Sequence, residues 1–325
     1  MEKYPPYTIT NKMLNYVSNI MKKIGEANYF EKLNRFPELR RKTRIRSIHS
    51  SLAIENNQLS LFQVEDIING KMVIGEQKDI QEVKNAYKAY EELDNINPYS
   101  IEELKKIHGI MTFLVQEDSG RFRNHGEAVY DGNKMIFMAP PENMVPSLME
   151  RLFNWMNEAK ENVNPLIISC VFHYEFVFIH PFTDGNGRMA RLWQTAILSN
   201  WENVFKYIPI ESIIKKHQEE YYTVIDKCNK VGNSNEFIEF MLKVIEETVD
   251  DMINLQETTQ ETTQETTQEK IIKLIKENPN ITQAEMSTIL NITRDGISYN
   301  IKVLKDEGKI RRVGATKKGY WEILK

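Results

Sequence analysis

Twelve residues, His180-Pro-Phe-Thr-Asp184-Gly185-Asn186-Gly187-Arg188-Met-Ala-Arg191, constrain this chain more than any other stretch. The apolar run PLIISCVFHYEFVFI leads into them from Pro165, and MARLWQTAILSN, from Met189, reads as a helix behind them. His180 therefore stands at the end of one helix and Arg188 in the first turn of the next. The loop between carries two glycines, whose backbone can turn N–H groups inward. The second helix adds its orphan N–H groups and the positive end of its dipole. Such a nest holds phosphate. Arg188 and Arg191, three apart, share a helix face and can reach one polyphosphate. Asp184 offers the hard oxygen that a magnesium ion needs, and His180 a group that takes up a proton near neutral pH. A base, a carboxylate, an anion nest and two arginines in so short a span point to phosphate-transfer chemistry.

The rest of the chain must carry this loop. With 325 residues it is long enough for two domains. Its 41% hydrophobic and 27% charged residues are those of an ordinary soluble protein and exclude a disordered one. The net charge of −4 hides an asymmetry: from Lys270 onward twelve basic side chains face six acidic ones, a net of +6, so the preceding 269 residues carry −10. The basic tail reads as a separate piece with a partner of its own. Cys170 and Cys228 are the only cysteines, too few for a disulfide framework or a cysteine-based zinc site. The start, MEKYPPYTITNKML, has no apolar core of signal-peptide length, and the run at 166–179 is interrupted by His173 and Glu175 and too short to span a bilayer. A cytoplasmic protein without a membrane partner is the expectation.

Apolar spacing predicts helices over 12–25 and from Pro37 to Asn56-Asn57, where Leu39, Ile45, Ile48 and Leu52 keep a helical period. It predicts more at 64–69, 79–93, 101–115, 146–159, 164–178, 211–231 and 235–255. After Gly120-Arg-Phe-Arg123, two short extended runs flank Asp131-Gly132-Asn133, a hairpin signal. Glu257-Thr-Thr-Gln is repeated from Glu261 and Glu265 without an apolar side chain, which predicts a flexible linker. Beyond it come three amphipathic helices, with Thr282 capping the second, and two strands around Gly314–Lys318. The expected division is 1–95, 96–255, a linker at 256–269, and 270–325.

The twelve residues match, without a departure, the signature His-Pro-Phe-x-Asp/Glu-Gly-Asn-Gly-Arg-x-x-Arg, and on them the chain resembles the Fic family. The resemblance implies a mainly α fold, a helical bundle with a small β-hairpin flap, and transfer of AMP from ATP to a Ser, Thr or Tyr hydroxyl of a protein, the enzyme itself included. It makes His180 the base and Asp184 the magnesium ligand, with Gly185, Asn186, Gly187, Arg188 and Arg191 on ATP. A tyrosine pair and an asparagine lie near the adenine in the family; Tyr221, Tyr222 and Asn229 fall at fitting places, though tyrosines at helical spacing also suit a core. The hairpin would dock an extended, hydroxyl-bearing target segment by strand addition through Val129, Met135, Ile136, Phe137 and Met138, which otherwise leave an apolar strand exposed.

Ser51-Leu-Ala-Ile-Glu55-Asn56 resembles the family's inhibitory motif Ser/Thr-x-x-x-Glu-Gly/Asn, whose glutamate pairs with the second signature arginine, Arg191 here. A carboxylate at a helix C-terminus needs such a cation in any case. In one branch of the family the same glutamate positions a water that removes AMP, which makes an eraser the alternative enzyme. A ligand-sensing regulator of DNA is a third reading, against which the intact His180 and Asp184 speak. The branch that transfers phosphate carries a lysine where Gly187 stands. Residues 270–325 resemble a winged helix-turn-helix domain, whose third helix enters a DNA groove; such domains also dock proteins, and the net +6 favours nucleic acid. A homo-oligomer is left open.

Overall fold

The structure, a computed structural model, describes residues 4–26, 37–131, 134–261, 267–290, 292–314 and 319–324. It divides into two units, Met1–Asn254 and Leu255–Lys325. The larger begins with helices α1 (Asn11–Glu26), α2 (Pro37–Ile54), α3 (Leu61–Ile68), α4 (Gln77–Glu91) and α5 (Ile101–Met111). The hairpin β1 (Ala128–Asp131) and β2 (Lys134–Met138) follows, then α6 (Val145–Ala159), α7 (Pro165–Ile179) and α8 (Asn186–Trp201). Helices α9 (Ile210–Lys216), α10 (Gln218–Val231) and α11 (Asn235–Glu261) complete the order. Mainly α with one small hairpin is the expected class.

Helix α7 explains why the run from Pro165 shows no apolar stripe. One side of it places Leu166, Ile167, Cys170, Val171 and Tyr174 in a core shared with α1 and α9 to α11. The other places Ile168, Phe172, Phe176 and Ile179 in a second core with α2, α4 to α6 and α8. A helix buried all round needs no polar face. Asn164 caps it, accepting from Leu166 N–H at 2.9 Å, and Pro165 fills its first position. Its largest contact is with α8. The loop at 180–185 thus hangs between the two most deeply buried helices, so its ends cannot drift.

The hairpin is antiparallel, with Ala128 opposite Met138 and Val129 opposite Phe137; the register then shifts, and Tyr130 faces Met135. That bulge twists the ribbon. The turn expected at Gly132 and Asn133 lies outside the described residues, as do the side chains of Val129, Met135 and Ile136. Of the proposed docking residues, Phe137 packs its ring 5.4 Å from that of Phe178, and Met138 is 65% exposed.

Two expectations need correction. The helix expected over 211–231 is two, broken at His217, whose φ of −106° and ψ of 30° lie outside the helical range. The cause is tertiary: on either side of the break Lys215 Nζ donates to Ala53 O at 2.8 Å and Gln218 Nε2 to Ile54 O at 3.2 Å, both at the end of α2. The linker is shorter than expected, because α11 continues to Glu261 through the first Glu-Thr-Thr-Gln, and the next helix starts at Thr267. Propagating a helix already anchored in a core is far easier than starting one.

The second unit contains α12 (Thr267–Glu277), α13 (Gln283–Leu290), α14 (Arg294–Asp306), β3 (Ile310–Val313) and β4 (Tyr320–Ile323), the two strands antiparallel. Three helices and a hairpin are the winged-helix order. Ile271, Ile275, Met286, Ile297, Ile301 and Trp321 form its core, and Trp321 Nε1 donates to Ile281 O at 3.0 Å. Thr282 and Glu285 cap α13 reciprocally, Glu285 N–H donating to Thr282 Oγ1 at 3.2 Å and Thr282 N–H to Glu285 Oε2 at 2.7 Å. Among the described residues no helix is long and apolar enough to cross a membrane. Because the first unit's core ends on α11 at Val249 and Met252, a fragment ending at Gln268 is expected to unfold cooperatively on heating, with its helical circular dichroism intact. Precipitation of that fragment would mean that the last unit completes the first unit's core.

Candidate active site

His180 is the left-handed C-cap of α7, at φ 51° and ψ 58°, with its N–H donating to Phe176 O at 3.0 Å. A histidine can hold this conformation, but rarely does. Its Nδ1 lies 3.3 Å from Val177 O. A carbonyl only accepts, so Nδ1 carries the proton and Nε2 is the basic atom. Burial depresses the imidazole below the ordinary histidine value of 6.5, against the pull of the Val177 carbonyl, Glu127 and Glu55. His180 is neutral at pH 7 and ready to accept a proton.

The loop that follows is held from three sides. Asn186 binds Phe182 twice, accepting from its N–H at 3.0 Å and donating Nδ2 to its carbonyl at 2.7 Å. That ties the side chain to the loop and leaves the backbone N–H of Asn186 for an anion. His108, from α5, lies flat on Phe182 with ring centroids 3.6 Å apart. Gly120 N–H donates to His108 Nδ1 at 2.9 Å, which fixes the tautomer, and Nε2–H donates to Asp184 O at 3.0 Å. Burial pushes the His108 pKa down to about 4, so this clamp stays neutral. Gly185 turns the chain into α8 at φ 82°, a conformation for which glycine is suited.

No side chain caps α8, so the N–H groups of its first turn have no partner within the helix. Beside them, Asp184 Oδ1 accepts from Gly185 N–H at 2.6 Å, and Oδ2 from Arg188 Nη2 at 3.0 Å and Gln116 Nε2 at 3.2 Å. Burial alone would raise its pKa, but Arg188 and these donors hold it below the ordinary aspartate range. Arg188 is itself shared: Nη1 donates to Glu82 Oε1 at 2.9 Å. Glu82 Oε2 accepts from Asn57 Nδ2 at 3.0 Å. Two carboxylates thus face one guanidinium, and Arg188 Nε is buried without a partner among the described residues.

The expected inhibitory pair forms. Arg191 Nη2 donates to Glu55 Oε1 at 2.7 Å and to Ser51 O at 3.0 Å, while Nε donates to Ser51 Oγ at 3.0 Å. The Arg191 side chain is 1% exposed and that of Glu55 35%. Burial opposes the guanidinium's charge, yet Glu55 keeps its pKa above the ordinary arginine value. The carboxylate also covers Gly187: a Cβ there would overlap Glu55 Oε1 and lie 3.1 Å from the carboxyl carbon. Glu55 therefore puts an anion over the nest that α8 opens. Lys215 and Gln218 cap the same end of α2, which fastens the helix behind it.

Of the residues assigned to the adenine, Tyr221 and Tyr222 lie close enough to Arg191 and Glu55 to feel their charges. Tyr221 is a core residue whose hydroxyl lies 2.9 Å from His173 Nε2. Asn229 accepts from Tyr174 OH at 2.9 Å. Tyr222 is 47% exposed, with its hydroxyl 3.5 Å from Ile54 O. Among the described residues no cluster of three His, Cys, Asp or Glu side chains could hold a metal. Sequence reasoning missed Glu82, His108 and Arg123. The signal was there for two of them: Glu82 rides a buried stripe with Ala86 and Ala89, and His108 one with Leu104, Ile107 and Met111. A polar side chain on an apolar face must be satisfied by something across the core.

A model of the Fic/DOC family matches residues 98–198, and one described as winged helix-turn-helix DNA-binding matches 264–311. Among curated proteins, the chain is 31% identical over 215 residues to protein adenylyltransferase Fic of Culex quinquefasciatus, covering 63% of this chain and 41% of that one. It is 27% identical over 261 residues to protein adenylyltransferase fic-1 of Caenorhabditis elegans, covering 77% of this chain and 48% of the other. The chain thus spans less than half the length of these relatives. Among solved structures, C. elegans Fic-1 matches at 26% identity with a TM-score of 0.63, over 76% of this chain and 73% of that one. A Fic family protein from Desulfovibrio desulfuricans G20 is similar almost end to end, at 34% identity with a TM-score of 0.78, over 99% of this chain and 98% of its own. With that likeness joined to a complete signature on the α7–α8 loop, the chain belongs to the Fic family.

Proposed function

We propose that the protein is an adenylyltransferase, moving AMP from ATP to a Ser, Thr or Tyr hydroxyl of a protein segment laid along the hairpin, and that Glu55 holds it at rest. One observation carries this: the Glu55 carboxylate lies 2.7 Å from Arg191 and over Gly187, an anion where polyphosphate would sit. The relatives named protein adenylyltransferase support the reaction.

In the transfer, His180 Nε2 takes the hydroxyl proton, because the hydroxyl is a poor nucleophile at its own pKa. The oxygen bonds to the α-phosphorus, the bond to the β-phosphate breaks, and pyrophosphate leaves. The free N–H groups of Asn186 and Gly187 face the charge that develops, while Gly185 N–H holds Asp184. Arg188 and Arg191 orient the β- and γ-phosphates. A lone carboxylate suits magnesium, which prefers few protein ligands and takes the rest from water and phosphate. Asp184 would hold that ion, whose chemistry is to neutralise the leaving pyrophosphate. Residues 270–325, at net +6, meet DNA in this proposal.

The depressed pKa of His180 sets the pH dependence. Its proton leaves at a lower pH than that of an exposed histidine, so the active base persists into mild acid. The acid limb of the transfer rate is expected to fall with a midpoint below 6.5; a midpoint above that value would contradict the assignment of the base. Mass spectrometry after incubation with ATP and magnesium tests the reaction itself. AMP attached to a hydroxyl side chain is the expected product, and ADP with unmodified protein would overturn the proposal.

A further inference from the structure

Arg123 is 3% exposed, and among the described residues no carboxylate pairs with it. Its hydrogen bonds go to backbone carbonyls, while Glu127 and Glu142 favour its charge from further off. Nε donates to His180 O at 2.7 Å, Nη1 to His125 O at 2.8 Å, and Nη2 to Pro140 O at 2.5 Å and Ile179 O at 3.4 Å. Its own N–H donates to Pro181 O at 2.9 Å. Ile179 and His180 end α7, where the helix dipole leaves its negative charge. His125 precedes β1 and Pro140 follows β2, and the two legs are joined between them by Ala139 N–H donating to Glu127 O at 3.0 Å. One planar fork therefore grips both feet of the hairpin and the carbonyl of the left-handed His180. A lysine has one donor atom and no plane, and cannot reach all four oxygens.

We propose that Arg123 is a positioning residue that makes the feet of the hairpin and the His180 cap one mechanical unit, so that the imidazole holds its place only while the hairpin does. The consequence for catalysis rests on the assignment of His180 as base; the mechanical coupling does not. A protein segment that docks on the strands would then steady the base at the moment it is needed. Among the described residues no hydrogen bond joins Arg123 to the nest or to the arginines of α8, so nucleotide binding is separate.

Hydrogen exchange tests the coupling directly, and rates of AMP transfer test its use. In the parent, the Ala139 and His180 N–H groups are expected to exchange at similar opening equilibria. Arg123→Gln should raise both by about 10- to 100-fold, as the loss of charge-assisted hydrogen bonds implies. Met189 N–H, bonded to Gly185 O at 2.9 Å in α8, should be unchanged. In a Glu55→Gly background kcat should fall by roughly 100-fold, as for a small misplacement of the reacting groups, with KM for ATP unaltered. Arg123→Lys keeps the charge and is the variant to use if the glutamine form does not fold; it should give the same pattern, weaker. Unchanged exchange at Ala139 and His180, or a uniform rise that includes Met189, would overturn the proposal. Paired rises at Ala139 and His180 with no transfer by any variant, the parent included, would leave the coupling standing and reject the function.

Discussion

Glu55→Gly is expected to raise AMP transfer by roughly 10- to 100-fold. The Arg191–Glu55 pair is half shielded, with one partner 1% and the other 35% exposed. Such a pair is worth on the order of 1–3 kcal/mol, between an exposed ion pair and a buried one. Removing the carboxylate leaves Arg191 held by Ser51, through Oγ and the backbone carbonyl, and clears the space over Gly187. Both changes favour the γ-phosphate. The α2 end keeps its Lys215 and Gln218 caps, so the variant should fold as the parent does. Initial rates with α-labelled ATP check the expectation. Transfer that stays flat, while removal of AMP from a labelled target is abolished, would make Glu55 a base for water and the enzyme an eraser.

His180→Ala, measured in the Glu55→Gly background, should lower transfer by about 100- to 10,000-fold, the range ascribed to a general base. ATP affinity by calorimetry should hold, since the nest, Arg188 and Arg191 are untouched. The fold should hold as well: the cap is a backbone hydrogen bond from His180 N–H to Phe176 O, and a left-handed alanine costs only about 1–2 kcal/mol. Transfer at the rate of the Glu55→Gly enzyme would take the proton-accepting role away from His180.

The α7–α8 loop was legible because its chemistry is local. Glycines at 185 and 187, an aspartate before them and arginines three apart on one helix face mean the same thing in any surroundings. The Glu55–Arg191 pair is 136 residues apart in sequence and was legible only through the family motif. What stayed hidden depends on partners that no spacing announces. Arg123 looked like one more basic residue in a turn, because all its acceptors are backbone carbonyls. The break at His217 has no proline or glycine to mark it; it follows from Lys215 and Gln218 reaching α2. Tyr221, at a fitting place for the adenine, is also tied to His173 in the core, a partner that helical spacing does not announce. The repeat from Glu257 lacks any apolar residue, yet its first copy is helical because α11 is already formed before it.

The claim at the centre is that this loop transfers an adenylyl group, and that Glu55 restrains it. Parallel incubations of the Glu55→Gly protein with ATP labelled at the α- or the γ-phosphate, in magnesium, test that most directly. The expected result is α-label bound covalently to protein and γ-label released as pyrophosphate, with the unsubstituted protein giving much less of both. Covalent γ-label would make the chemistry phosphate transfer, and no covalent label from either nucleotide would contradict the account.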